Sequence, residues 1–127
     1  MTPIKLDEAD PELVVLVAER FRVLADPQRL RLIQFLRHQE QSVSALSERT
    51  GILQPSVSKH LKILHDAGIL VRRSEGCQVL YRIADPSVLQ LCELMCVGLE
   101  RRMARQVEQL ERIWSDGGST PEDDQLH

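Results

Sequence analysis

The sequence predicts a mainly α-helical domain carrying one small β-hairpin, on three observations. Aromatic residues make up only 3% of a chain that is 43% hydrophobic, so the core must be built from Leu, Val and Ile, which suits packed helices better than an aromatic-rich sandwich. Apolar residues recur at intervals of three and four along most of the 127 residues. That rhythm breaks between residues 69 and 83, where two short β-prone runs flank a turn. The length fits one domain with one core and excludes a multidomain enzyme.

The elements follow in order. Asp10 and Pro11 open a first helix with Leu13, Val14, Val17, Phe21 and Leu24 on one side, ending near Ala25. Asp26-Pro27 reads as an N-cap followed by proline at the first helical position, where its missing N–H costs nothing. The second helix runs to about His38, with Leu30, Ile33, Leu36 and Phe35 inward. Ser42 caps a short third helix whose apolar side is Val43 and Leu46, and Gly51 ends it. Gln54-Pro55-Ser56 opens the fourth, with Val57, Leu61 and Leu64 on its apolar side, and Ala67-Gly68 closes it in the manner of a glycine C-cap. Ile69–Ser74 and Val79–Ile83 form the hairpin around Glu75-Gly76-Cys77-Gln78.

Asp85-Pro86 then repeats the capped proline start, and a long helix follows. Its stripe of Cys92, Cys96, Leu99, Met103, Val107, Leu110 and Trp114 is longer than a small domain needs for its own core, so a partner chain is implied. Residues 1–9 read as a flexible arm, 10–114 as the folded domain with its last helix over about 86–114, and 115–127 as a disordered acidic tail.

Net charge is −3, yet it is segregated: Arg20 to Arg82 hold eleven Lys/Arg against five Asp/Glu, leaving five basic and fourteen acidic residues elsewhere. A basic centre between acidic ends suits a polyanionic partner, while the same pattern also arises from ordinary variation along a soluble chain. There is no apolar run of the ~18 residues needed to span a bilayer, and MTPIKLDEADPE lacks an apolar leader, so a cytoplasmic protein without membrane contact is expected. Three cysteines, Cys77, Cys92 and Cys96, are an odd number and read as reduced thiols. No Ser-His-Asp set, paired carboxylate, C-x-x-C or glycine-rich phosphate loop is present, which argues against an enzyme or a thiol-based metal handler.

Two helices joined by a tight turn and followed by a basic hairpin have the layout of a winged helix-turn-helix. Ser47 is the small residue required where the two helices cross, Gly51 supplies the turn, and Val57 pins the second helix. That helix must present short hydrogen-bonding side chains outward at its N-terminal end, a need met by Gln54, Ser56, Ser58, Lys59 and His60. His60, beside Leu61, has the alternative of packing inward.

The stretches FRVLADPQRLRLIQFL (Phe21 to Leu36) and LQPSVSKHLKILHDAGILVRRSEGCQVLYRIAD (Leu53 to Asp85) closely resemble the ArsR/SmtB-type bacterial metal-responsive repressors. With the segment between them they span about half the chain, and the combination of ADPxRLxL, QPSVSKHLxxL, AGxLxxRxEG and YRI is specific. The resemblance implies a homodimer paired through its first and last helices, a fourth helix in the DNA major groove, a wing on the backbone or minor groove, and release of a double-stranded operator when an inducer binds. Carried onto this sequence, the DNA-contacting positions are Gln54, Ser56, Ser58, Lys59, His60 and Lys62, with Arg72 and Arg73 on the wing. Gln54 can read adenine, Lys59 guanine or phosphate, and the serines and His60 can donate to phosphates or base edges. The dimer contact falls on Leu13, Val17, Cys92, Cys96, Leu99, Met103, Val107 and Leu110.

Two sensing sites known in this family are missing. The third-helix segment SVSALSERTG holds Ser42 and Ser44 where paired cysteines would stand, and the last helix offers Pro86, Ser87, Gly98 and Arg101 in place of zinc ligands. What remains is Cys92 and Cys96, four residues apart on one helix face, able to share a soft ion such as trivalent arsenic or antimony; a two-fold dimer can bring four thiols together. Cys77 at the hairpin tip is a weaker candidate ligand, and His38, His65 and Glu93 read as surface residues. Oxidation of the pair is a third option, although the spacing is poor for a direct disulfide. The alternative is a regulator in which both cysteines are packing residues in the dimer stripe and no cofactor or inducer acts there.

Overall fold

A computed structural model of the protein describes residues 4–116. After a 3₁₀ turn at Leu6–Glu8 come α1 (Pro11–Leu24), α2 (Pro27–Leu36), β1 (Gln41–Ser42), α3 (Val43–Thr50), α4 (Gln54–Asp66), β2 (Leu70–Glu75), β3 (Gln78–Ile83) and α5 (Pro86–Asp116). The chain divides after Leu89 into two units, so that the first turn of α5 belongs with the preceding elements and the rest of α5 stands as a unit of its own. The last residues of the expected tail, beyond Asp116, lie outside the described residues, whereas Ser115 and Asp116 close the helix.

The Asp-Pro starts behave as their chemistry demands. Asp10 Oδ1 accepts from the Leu13 amide at 2.8 Å, Asp26 Oδ1 from Gln28 and Arg29 at 2.9 and 3.2 Å, and Asp85 Oδ1 from Ser87 at 3.0 Å, each satisfying amide donors that a helix leaves unpaired. Ser42 does the same for α3 through the Ala45 amide at 3.2 Å. α4 ends in a Schellman arrangement: Gly68 sits at φ 78°, its amide donates to His65 O and the Ile69 amide to Leu64 O. The buried Ile69 and Leu64 side chains bracket that turn.

The core is aliphatic. Leu32, Ile33, Leu36, Leu46, Val57, Leu61, Leu64, Ile69 and Leu70 are essentially inaccessible, placing it where α2, α3, α4 and the base of the sheet meet. Leu30, expected inward, is 41% exposed, and Leu32 occupies the interior instead. The segment PQRLRLIQFL supports two helical phases, and packing against α3 and α4 selects the one that turns Leu32, Ile33 and Leu36 inward. Phe35 lies half-exposed under the Arg31 guanidinium, 5.9 Å from its ring centre.

The sheet is antiparallel in the order β1-β3-β2. Strand β1, too short for a periodic signal, is held by pairing of Gln41 with Tyr81 and by Gln41 Nε2 donating to Phe35 O at 2.5 Å. The hairpin is tighter than its four-residue turn suggested: Glu75 pairs with Gln78, leaving Gly76 at φ 61° and Cys77 as the turn. In α1 Leu24 is the one buried residue, and Val14, Val15, Leu16 and Phe21 are exposed. Among the described residues no helix is long and apolar enough to cross a membrane.

Candidate nucleic-acid interface

The crossing of α3 and α4 is set by small groups. Ser47 Oγ donates to Ile52 O at 2.6 Å, so the residue expected at the crossing also ties down the turn that follows it. Thr50 Oγ1 donates to Leu46 O at 2.6 Å and accepts from the Ile52 amide at 3.2 Å, while Gly51 takes φ 76°, a conformation that costs a residue with a Cβ about 1–2 kcal/mol. With Val57, Leu61 and Leu64 fully buried on the inner side, α4 is left with a solvent face bearing Gln54, Ser58, Lys59 and Lys62.

The start of α4 has no side-chain cap, because the N-cap position is held by the apolar Leu53. The positive end of the helix dipole there is thus not offset by a capping side chain, although Pro55 brings no amide donor and the Val57 amide donates to Leu53 O. Lys59 and Arg72 form no ion pair among the described residues, whereas Lys62 Nζ reaches Asp66 Oδ2 at 3.3 Å across one helical turn. On the wing, strand alternation sends Arg72 and Arg73 to opposite faces of the sheet, opposite Tyr81 and Leu80 respectively.

Four of the expected contact residues are engaged within the protein: Lys62 by Asp66, Ser56 by Gln28, and, more extensively, His60 and Arg73. His60, named above among the DNA-contacting side chains, is only 9% exposed: its Nδ1 accepts from Arg29 Nε at 3.1 Å and its Nε2 lies 2.9 Å from Gln28 Oε1. The position follows Lys59 on α4 and turns toward α2, so His60 seats the helix instead of facing outward with Ser58 and Lys59. Arg73 is gripped by carboxylates. Its Nε donates to Glu40 Oε2 at 2.9 Å, and its Nη2 donates to Glu40 Oε1 and to Glu75 Oε2, the latter at 2.8 Å. The hydrogen bond from Arg73 holds the Glu40 carboxyl below the usual carboxylate range, and the same contact raises Arg73.

Residues of α2 that sequence reasoning left out of the site lie beside α4. Gln28 Oε1 accepts from Ser56 Oγ at 3.1 Å as well as facing His60, and Arg29 Nη1 donates to Val23 O at 2.9 Å. A shallow groove of about 440 Å³ opens there, lined by Pro27, Gln28, Arg31, Leu53 and Ser56 among others. The one sequence signal of Gln28 and Arg29 was their place in the first turn after Asp26-Pro27.

On α5, Cys92 is half-buried and Cys96, one turn on, is exposed; Cys77 is exposed in the hairpin turn. Partial burial, and after it the Cys96 thiol, push the Cys92 thiol up. No cluster of three or more His, Cys, Asp or Glu able to hold a metal occurs among the described residues. His65 Nδ1 approaches Asp66 Oδ1 at 3.4 Å. Of the residues assigned to a partner contact, Val17, Leu99, Met103, Val107 and Leu110 are exposed and Leu13 is half-exposed.

The profile of the family described as "Bacterial regulatory protein, arsR family" matches residues 26–71, the segment from α2 into β2. The chain is 43% identical over 77 residues to the "Probable mercury resistance operon repressor" of Streptomyces lividans, an alignment covering 61% of this chain and 62% of that protein. It is 32% identical over 114 residues to an uncharacterized HTH-type transcriptional regulator of Mycobacterium tuberculosis, Rv0081, covering 89% of this chain and 99% of that one. The crystal structure of Rv0081 matches with a TM-score of 0.68 at 31% identity, over 78% of this chain and 99% of that one. The solution structure of a homodimeric winged helix-turn-helix DNA-binding domain from Mycobacterium bovis matches at 0.67 and 28%, over 80% and 95%.

The Arg73 clamp has a pH signature. Because the folded Glu40 carboxyl sits below its ordinary value of about 4.3, the contact is intact above that value and dissolves only as pH falls through the lower folded one. The Arg73 Nε–H resonance is therefore expected to exchange slowly at pH 6, to lose protection only as pH falls below the usual carboxylate range, and to be unprotected at pH 6 in Glu40→Ala. Equal exchange in the two proteins at pH 6 would show that the clamp does not persist in solution.

Proposed function

The chain belongs to the ArsR family of bacterial regulatory proteins, and from that premise we propose that it is a homodimeric transcriptional repressor that binds double-stranded operator DNA through α4 and the wing. The observation that carries this reading is the division of α4. Val57, Leu61 and Leu64 are buried to the last atom while Gln54, Ser58 and Lys59 on the same helix are exposed beside an uncapped N-terminus. A major groove admits such a helix, and its base edges accept Gln and Lys side chains. Lys59 and the unpaired Arg72 supply phosphate neutralisation, and Gln54 supplies base discrimination. The apolar residues left exposed on α1 and on α5 are too many for an isolated chain and fit a two-fold pairing. Two copies of α4 then address successive major grooves about 34 Å apart.

The inducer reading rests on Cys92 and Cys96. Burial, and after it the Cys96 thiol, push the Cys92 thiol up, which disfavours its thiolate and so its direct attack on mild oxidants. A thiophilic ion, by contrast, displaces the protons itself and binds through sulfur. Trivalent arsenic or antimony, or another soft ion, is the inducer class we assign to this pair. Binding there would reshape α5 and disturb the spacing of the two α4 helices. The competing reading, in which the cysteines only pack in the dimer stripe, draws on their sharing that stripe with Leu99 and Met103.

Three outcomes test this. Lys59→Ala should weaken binding to every duplex and lower the slope of log K against log salt by about 0.9, the increment for one phosphate contact; an unchanged slope removes Lys59 from the backbone. Leu99→Asp should halve the mass measured by light scattering, and an unaltered mass would place the dimer elsewhere. Cys92→Ser/Cys96→Ser should still bind promoter DNA but no longer be released by arsenite in a mobility shift, and ordinary release would take these thiols out of sensing.

A further inference from the structure

The hydrogen-bond chain between α2 and α4 has one proton assignment that satisfies every contact in it. Arg29 has donors only, so its Nε–H at 3.1 Å requires His60 Nδ1 to carry the lone pair. The proton of the neutral ring is then on Nε2, which must donate across 2.9 Å to Gln28. That contact in turn fixes the Gln28 amide with its oxygen toward α4, since the flipped amide would set two donors against each other. Oε1 has two lone pairs; one takes His60 Nε2–H and the other takes Ser56 Oγ–H at 3.1 Å. The single hydroxyl proton of Ser56 is thereby spent inward.

We infer that Gln28, outside the reading helix, is a specificity-determining residue that converts Ser56 into a pure hydrogen-bond acceptor toward DNA. The inference rests on the reading of α4 as the DNA-contacting helix and narrows it. An acceptor-only hydroxyl cannot donate to a phosphate, and in the major groove it finds a partner only in an exocyclic amino group, adenine N6 or cytosine N4. Guanine and thymine offer acceptors at the same edge, and both are rejected. Ser56 stands in the first turn of α4 and lines the open groove beside Gln28, so its remaining lone pairs are accessible. Gln28 does not read the base itself; it acts by holding the proton of Ser56.

The test is a selection of the full-length reduced protein on a pool of randomised duplexes, followed by measurement of relative affinities within each protein for the four bases at every selected position. The wild type is expected to show one position per half-site at which A or C is preferred over G or T by about fivefold or more, and to lose that preference when purine, lacking the amino group, replaces adenine. Gln28→Leu should reduce that ratio to below about twofold at this position alone, Ser56→Ala should do the same with the His60 contact intact, and the two changes together should add nothing further. Gln28→Glu keeps an acceptor toward Ser56 and should keep the ratio. If the wild type selects a sequence and Gln28→Leu keeps its preference position for position, or relaxes all positions alike, Gln28 has no such role. If the wild type selects no sequence at all, the operator-binding reading falls, and this inference with it.

Discussion

The arrangement depends on how α4 is pinned. Val57, Leu61 and Leu64 are inaccessible among side chains of α2, α3 and the sheet base, and their spacing of four and three fixes the roll of the helix about its axis. Loss of any one would leave a cavity at a cost of about 2–5 kcal/mol for a leucine, a large fraction of the stability of a domain this size. Once that roll is fixed, every other residue of α4 has its direction assigned. Gln54, Ser58 and Lys59 face out because Val57 and Leu61 face in, and no separate interaction is needed to present them.

The polar contacts refine this placement. Ser47 and Thr50 each spend a hydroxyl on the backbone of the turn, so the path from α3 into α4 is set by two side chains that could otherwise have been hydrated. The Arg29–His60–Gln28–Ser56 chain adds a second tether at the opposite side of α4. The contacts of His60 are part-buried and that of Ser56 with Gln28 is exposed, so the chain adds to the orientation set by the aliphatic face more than it replaces it. On the wing, Arg73 is neutralised by Glu40 and Glu75, whereas Arg72 on the other face is not. Of two adjacent arginines with the same formal charge, only Arg72 keeps its full field available to a polyanion.

Much of this was legible in the sequence, because the determining signals are local. Three Asp-Pro steps fixed three helix starts through the capping carboxylate and the proline that needs no donor, and Gly51 and Gly68 marked the two helix ends by requiring positive φ. Signals that depend on distant partners were not legible. β1 exists because Gln41 meets Tyr81 forty residues later. The phase of α2 turns on which of Leu30 and Leu32 meets α3 and α4. His60 was left between an outward donor and an inward packing residue, and Arg73 read as a DNA contact, until Gln28, Arg29 and Glu40, all remote in sequence, were placed beside them. Side-chain type states what a residue can bond, and only the fold states which partner has already claimed it.

The same principle bears on how events at the start of α5 can reach α4. Arg20 of α1 donates through Nη1 to Ala67 O, at the C-terminal cap of α4, at 2.8 Å, and through Nη2 to Asp85 Oδ2 at 2.6 Å. Asp85 spends its other oxygen capping α5 through the Ser87 amide and hydroxyl. Ser87 first, and Arg20 after it, hold the Asp85 carboxyl below the usual range, so it stays ionised and keeps both attachments. One guanidinium thus joins the end of α4 to the cap of α5. A change that rotates or unwinds the first turn of α5 must either carry Asp85 with it, pulling Arg20 from the α4 cap, or break a charge-assisted pair. Either course alters the contact that Arg20 makes at the C-terminal cap of α4.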